Sequence, residues 1–169
     1  MTVLCYRLDE KSKKELMEKF PPKYPAVRYD HVTIEMGHIH SPVPKPADKV
    51  EVVGIADDGN GIEAFIVKVN DTFCRPKDGR NWHITASFNP EKMAPAEFDI
   101  SDEKKEKPYK AVTSNGFLNQ VIDSNGCLKK WDNSKWTVFL FDKPLLIKTY
   151  PENQLRSCEI QALRNGKNR

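Results

Sequence analysis

Along the 169-residue chain the apolar positions recur mainly at every second residue, the repeat of a strand, and at helical spacing in only a few places. Val3 to Leu8 is rich in strand formers and stops at Asp9, a residue suited to cap a helix over Glu10 to Phe20. Leu16, Met17 and Phe20 mark the apolar face of that helix, and Pro21-Pro22 ends it. Val27 to Met36 alternates again. Tyr29, His31, Thr33 and Glu35 share one face, Asp30, Val32, Ile34 and Met36 the other, and Gly37 closes the strand. Residues 38 to 48 carry Pro42, Pro44 and Pro46 and read as an extended connector. Lys49 to Ala56 and Ile62 to Val69 flank a run with Asp-Gly and Asn-Gly steps, which favours a hairpin.

Thr72 to Asn81 reads as a loop and Trp82 to Phe88 as a strand stopped at Asn89-Pro90. The charged stretch 91–110 is expected to be a mobile surface loop. Gly116 to Leu128 suits a short helix or strand. Trp136 to Phe141 and Leu145 to Tyr150 suit two strands broken by Asp142-Lys143-Pro144. Leu155 to Leu163 suits a final helix, with residues 164–169 a frayed basic tail.

Length then fixes the scale: residues 1–169 suffice for one domain with a buried core. The balance of 27 basic against 24 acidic residues is compatible with an anionic ligand without demanding one. Cys5, Cys74, Cys127 and Cys158 form no C-x-x-C pair, which disfavours a zinc knuckle or a secreted disulfide framework and points to reduced thiols. The apolar run at residues 3–6 is too short for a signal segment, and no stretch approaches the roughly 20 apolar residues of a membrane helix. A cytoplasmic protein, monomeric and without membrane contact, is the expectation.

The chemistry lies in a repeated pattern. His31-Val32-Thr33 and His83-Ile84-Thr85 both read His-x-Thr within strand-like segments, so each places an imidazole and a hydroxyl on the same face. With seven threonines in the chain, two such coincidences among four histidines arise by chance about once in a hundred sequences. If the two strands lie side by side, two rings and two hydroxyls converge on a space of phosphate size. Phosphodiester cleavage needs such a set: a base for the attacking oxygen, an acid for the departing one, and donors for the non-bridging oxygens. Histidine serves both proton roles near neutral pH. Neither a metal nor a cofactor is required.

On Tyr29-Asp30-His31-Val32-Thr33-Ile34-Glu35-Met36-Gly37 and Trp82-His83-Ile84-Thr85-Ala86-Ser87, the chain resembles the 2H phosphoesterase superfamily, which includes LigT-like proteins and the cyclic phosphodiesterase domains of tRNA ligases. The strand-helix-strand opening and the segments Val53 to Ala56 and Glu63 to Val67 extend the resemblance over about residues 3 to 90. It reaches more loosely Lys110 to Leu118, where Ser114 and Asn115 match a substrate loop. The resemblance implies an α+β, bilobal fold in which antiparallel sheets flank a central cleft, with few helices outside. It implies a hydrolase in which His31 and His83 are catalytic and Thr33 and Thr85 bind phosphate. The substrates it implies are 2',3'-cyclic phosphate ends of RNA or nucleotides, in RNA repair or processing. The 52-residue spacing of the two histidines is short for the superfamily, which implies a trimmed second lobe.

Two rival readings stand beside it. One keeps the chemistry and takes cyclic or 2'-5'-linked oligonucleotide messengers as substrate; the other is a non-catalytic RNA-binding domain. Tyr29, Arg80 and Trp82 are candidate substrate contacts, with Arg28 and Lys77 behind them, because basic and aromatic groups together suit single-stranded nucleic acid. Surface charge and core packing are the competing roles for these residues. Glu35 and Ser87 continue the faces of their strands. His38 and His40 form an H-x-H pair, but no third ligand stands near in sequence, so a surface role is expected.

Overall fold

The computed structural model describes residues 1–59, 61–90 and 137–155. Its elements are β1 (Thr2–Leu8), α1 (Glu10–Lys19), β2 (Ala26–Val27), β3 (His31–Gly37), β4 (Val50–Asp57), β5 (Ile62–Val69), β6 (His83–Phe88), β7 (Thr137–Ile147) and β8 (Thr149–Leu155). The strands form one sheet in the order β7-β4-β5-β6-β3-β1-β8, with β2 also paired to β6 and every pairing antiparallel. This overturns the bilobal α+β arrangement. The described residues contain one open antiparallel sheet and one helix, and because every described strand belongs to that one sheet, none of them is left to build a second lobe.

The two outer strands, β7 and β8, are consecutive in the chain, separated by Lys148 alone. Ile147 pairs with Val50 at the start of β4, and Thr149 pairs with Leu8 at the end of β1. A flat sheet could not hold these edges one residue apart, so the sheet curls until its margins meet at Lys148. The junction is tied to the helix entrance: Asp9 N–H donates to the Lys148 carbonyl at 3.0 Å, and Lys148 N–H donates to Ser12 Oγ at 2.8 Å.

Helix α1 begins where Asp9 accepts the Ser12 N–H at 2.7 Å and ends before the Pro21-Pro22 pair. It lays Leu16, Met17 and Phe20 on a core made by Leu8, Val32, Val50, Val52, Phe65, Val67, Trp82, Ile84 and Ile147. Phe20, the residue that caps the helix C-terminus, stacks on Phe141 of β7 at 4.7 Å and meets Phe65 of β5 edge-on at 5.8 Å, so it joins the curled margin to the sheet centre.

Three expectations change in detail. The strand read over Val27 to Met36 is divided into β2 and β3 by a bulge, in which Tyr29 adopts a left-handed backbone with φ of 51°. Ala26 pairs with Phe88 and Val27 with Ser87, whereas Val32 pairs with Ile84, so two extra residues are accommodated between them. Asp142-Lys143-Pro144 does not break a strand. It forms a bulge inside β7, an edge strand, where proline costs no inner hydrogen bond. Leu155 belongs to β8, and the rest of the expected final helix, the loop 91–110, the segment 116–128 and the tail 164–169 lie outside the described residues. The connector 38–48 carries neither helix nor strand, as its prolines require. Among the described residues no helix is long and apolar enough to cross a membrane.

Gly54 faces the β7 bulge, and a Cβ there would lie 2.7 Å from the Phe139 carbonyl oxygen. A backbone atom cannot swing aside as a side chain can. Gly54→Ala is therefore expected to destabilise the protein by about 1–3 kcal/mol, read as a lower urea midpoint at unchanged slope.

Candidate active site

The Val32–Ile84 pair sets the geometry. Both side chains are fully buried in the core, so their neighbours on β3 and β6 face the opposite side of the sheet. The antiparallel register puts His31 across from Thr85 and Thr33 across from His83. Directly opposed residues in such a ladder have Cβ atoms about 5 Å apart, so two imidazoles and two hydroxyls form a compact quartet. The adjoining strands keep the same rows: Arg7 lies beside His31 and Cys5 beside Thr33 on β1, while Ala64 lies beside Thr85 and Ile66 beside His83 on β5. Ala64 and Ile66 belong to a small apolar cluster with Val53 and Ala56, which walls one side of the quartet.

Each ring is anchored through Nδ1. His83, which is 5% exposed, donates Nδ1–H to the Asn81 carbonyl at 3.1 Å; a carbonyl only accepts, so in the neutral ring the lone pair lies on Nε2. His31 is more open and holds Nδ1 2.8 Å from Asp30 Oδ2. The same Asp30 oxygen accepts from Gln154 Nε2 at 2.8 Å, and Arg7 Nε lies 3.7 Å from Oδ1. Burial pushes the Asp30 carboxyl upward, but hydrogen bonds from His31 and Gln154 and the charges of His31 and Arg7 outweigh it and hold Asp30 well below the usual carboxylate range. Arg7 in turn reaches both oxygens of Glu152, at 3.4 and 3.5 Å. Cys5, fully buried on the same side, has its thiol pushed up to about 12 by burial and by the nearby charges of Glu152 and Asp30, so it is inert as a nucleophile at neutral pH.

The other sequence candidates fall elsewhere. Tyr29 is fully buried with the core residues, its ring 5.5 Å from Phe65 and its hydroxyl donating to the Phe20 carbonyl at 2.6 Å. Trp82 is also core, against Tyr6, with Nε1–H donating to Thr72 Oγ1 at 3.2 Å. Neither shares the histidine face. Arg28 lies over the Phe88 ring, and Arg80 pairs with Asp78 in the loop before β6. Lys77 bridges from that loop to Glu35 at 3.2 Å. Ser87 is buried and donates to Glu63 Oε1 at 2.6 Å. His38 and His40 are exposed in the connector, and Ser114 and Asn115 lie outside the described residues.

Sequence reasoning missed Arg7, Asp30, Glu152, Gln154 and Arg75. Arg75 is buried, clamps both oxygens of Asp78 at 3.1 and 2.6 Å, and donates to the Thr33 carbonyl at 3.4 Å, which ties the loop to β3. Only Asp30 carried a signal, as a carboxylate adjoining a motif histidine. Comparison with family models, curated proteins and solved structures finds no match to the chain.

The depressed Asp30 carboxyl carries a pH signature. A folded-state value below the unfolded one gives stability that is present above about pH 4 and is lost as acid protonates the folded carboxylate. Asp30→Asn is expected to lower stability by about 1–2 kcal/mol at pH 7, with the gap to wild type narrowing below about pH 4 in urea titrations. A gap that stays constant with pH contradicts the ionised pairing.

Proposed function

We propose that the chain is a metal-independent phosphodiesterase of the 2H type, acting on 2',3'-cyclic phosphate ends of RNA or nucleotides. The observation that carries this reading is the register of Val32 with Ile84, which sets the two His-x-Thr pairs antiparallel on one face, each histidine opposite the other strand's threonine. In the reaction one ring takes a proton from water as its oxygen bonds to phosphorus. The other ring protonates the sugar oxygen as its bond to phosphorus breaks, opening the cyclic ester to a monoester. Thr33 and Thr85 hydroxyls donate to the non-bridging oxygens as charge builds. Arg7, beside His31 on β1, is held by Asp30 and Glu152 on the same face.

The test is hydrolysis in EDTA by the purified protein, with 2',3'-cyclic nucleotides, cyclic dinucleotides and 2'-5' oligoadenylate offered separately. Turnover of the cyclic nucleotides is expected, and the position of the phosphate on the product reports which oxygen left. Preference for either of the other substrates would move the reading to a signalling nucleotide, and loss of turnover in chelator would refute the metal-independent chemistry. His31→Ala and His83→Ala are each expected to lower kcat/KM by about 10²–10⁴-fold. Thr33→Val and Thr85→Val, each removing one donor, should cost about tenfold. Retained turnover in both histidine variants would remove the site assignment.

A further inference from the structure

Strand β8 brings side chains from the far end of the described chain to the histidine face. Its register with β1 sets Glu152 opposite Cys5 and Tyr150 opposite Arg7, so the face continues past β1 onto the margin of the sheet. From there two links run to His31. Gln154 Nε2 donates to Asp30 Oδ2, the oxygen that also receives His31 Nδ1, and Glu152 holds Arg7 against the other Asp30 oxygen. Asp30 stands just after the left-handed Tyr29, and its own carbonyl accepts the Leu8 N–H at 2.9 Å, so its backbone as well as its side chain is fixed.

We propose that Asp30 is the positioning residue for His31, itself fixed by Gln154 and Arg7, and that β8 thereby completes the site. This rests on the reading of His31 as a reacting group. A carboxylate that accepts Nδ1–H holds the imidazole in one tautomer with Nε2 presented to the substrate, and stabilises the charged ring that forms when Nε2 takes a proton. Among the described residues, the groups on the side of Asp30 and His31 are Arg7 and Cys5 on β1, Glu152 and Tyr150 on β8, and His83 on β6. Of these, Arg7 is the cation, and it lies against the oxygen of Asp30 that His31 does not use. The depressed Asp30 carboxyl agrees with an anion kept in place across the working pH range. A clamp that merely joined β8 to β3 would serve stability and leave the histidine ring indifferent.

The tautomer of His31 separates the two roles, read from two-bond proton–nitrogen correlations of imidazole-labelled protein above the histidine titration. Wild type is expected to show His31 protonated on Nδ1. Asp30→Ala should populate the Nε2–H form that an unconstrained imidazole prefers, whereas Asp30→Asn, whose amide oxygen still accepts, should keep Nδ1–H. In parallel, kcat should fall by about 10²-fold in Asp30→Ala with KM little changed, and less in Asp30→Asn. An unchanged tautomer in a folded Asp30→Ala protein overturns the proposal. If that variant does not fold, Gln154→Ala decides, because loosening Asp30 should raise the Nε2–H population above wild type and no rise overturns the proposal. Should the tautomer respond as expected while wild type cleaves no phosphodiester, the Asp30–His31 linkage stands and the phosphodiesterase reading falls.

Discussion

The contact of β3 with β6 through Val32 and Ile84 is the constraint on which both the core and the candidate site depend. One side of this pair is apolar and sealed beneath α1; the other carries His31, Thr33, His83 and Thr85. A slip of one residue along either strand would put imidazoles into the core and isoleucine or valine among the polar groups, a cost comparable to the stability of a small domain. The register is therefore enforced by the hydrophobic effect rather than by the polar groups it aligns. The bulge at Tyr29 is what makes that register reachable from the Val27–Ser87 pairing, and its cost is offset by burying the Tyr29 ring with its hydroxyl satisfied at the Phe20 carbonyl.

The closure at Lys148 extends the same logic to the rest of the chain. Because β7 and β8 are one bent segment, curling the sheet to share the core between β4 and β1 also carries Glu152 and Gln154 to the edge of the histidine face. Stability and site assembly thus use one device. The polar network this creates, from Glu152 through Arg7 and Asp30 to His31, has its members paired with one another, which is the condition under which partly buried charges are tolerable.

Much of this was legible in the residues, and the parts that were not have specific causes. The strand character of residues 3–8, 50–56, 62–69 and 83–88 and the cap of α1 follow from short-range pattern and appear nearly as expected. The His-x-Thr faces follow from the period of two. Trp82 could have been assigned to the core on the same ground, since a residue adjoining His83 must face the other way. Tyr29 could not, because an uninterrupted strand would put it beside His31 and the left-handed bulge that reverses it has no glycine to announce it. The roles of Arg7, Glu152 and Gln154 depend on pairings across 124 and 145 positions, and local pattern holds no information about such partners. The bilobal expectation failed for a related reason: strands are visible locally, but whether they share one sheet or two is decided by long-range pairing.

Around the motif the fold builds an arrangement: two rings, each held at Nδ1 by a different kind of acceptor, across a strand pair whose register the core dictates. In the proposed reaction these rings and the two threonine hydroxyls enclose one phosphorus. A crystal structure of the protein with vanadate, a mimic of pentavalent phosphorus, tests this most directly. Vanadium is expected between β3 and β6, with vanadate oxygens within about 3 Å of Nε2 of both His31 and His83 and of both threonine hydroxyls. Vanadate bound elsewhere, or touching only one of the two motifs, would contradict it.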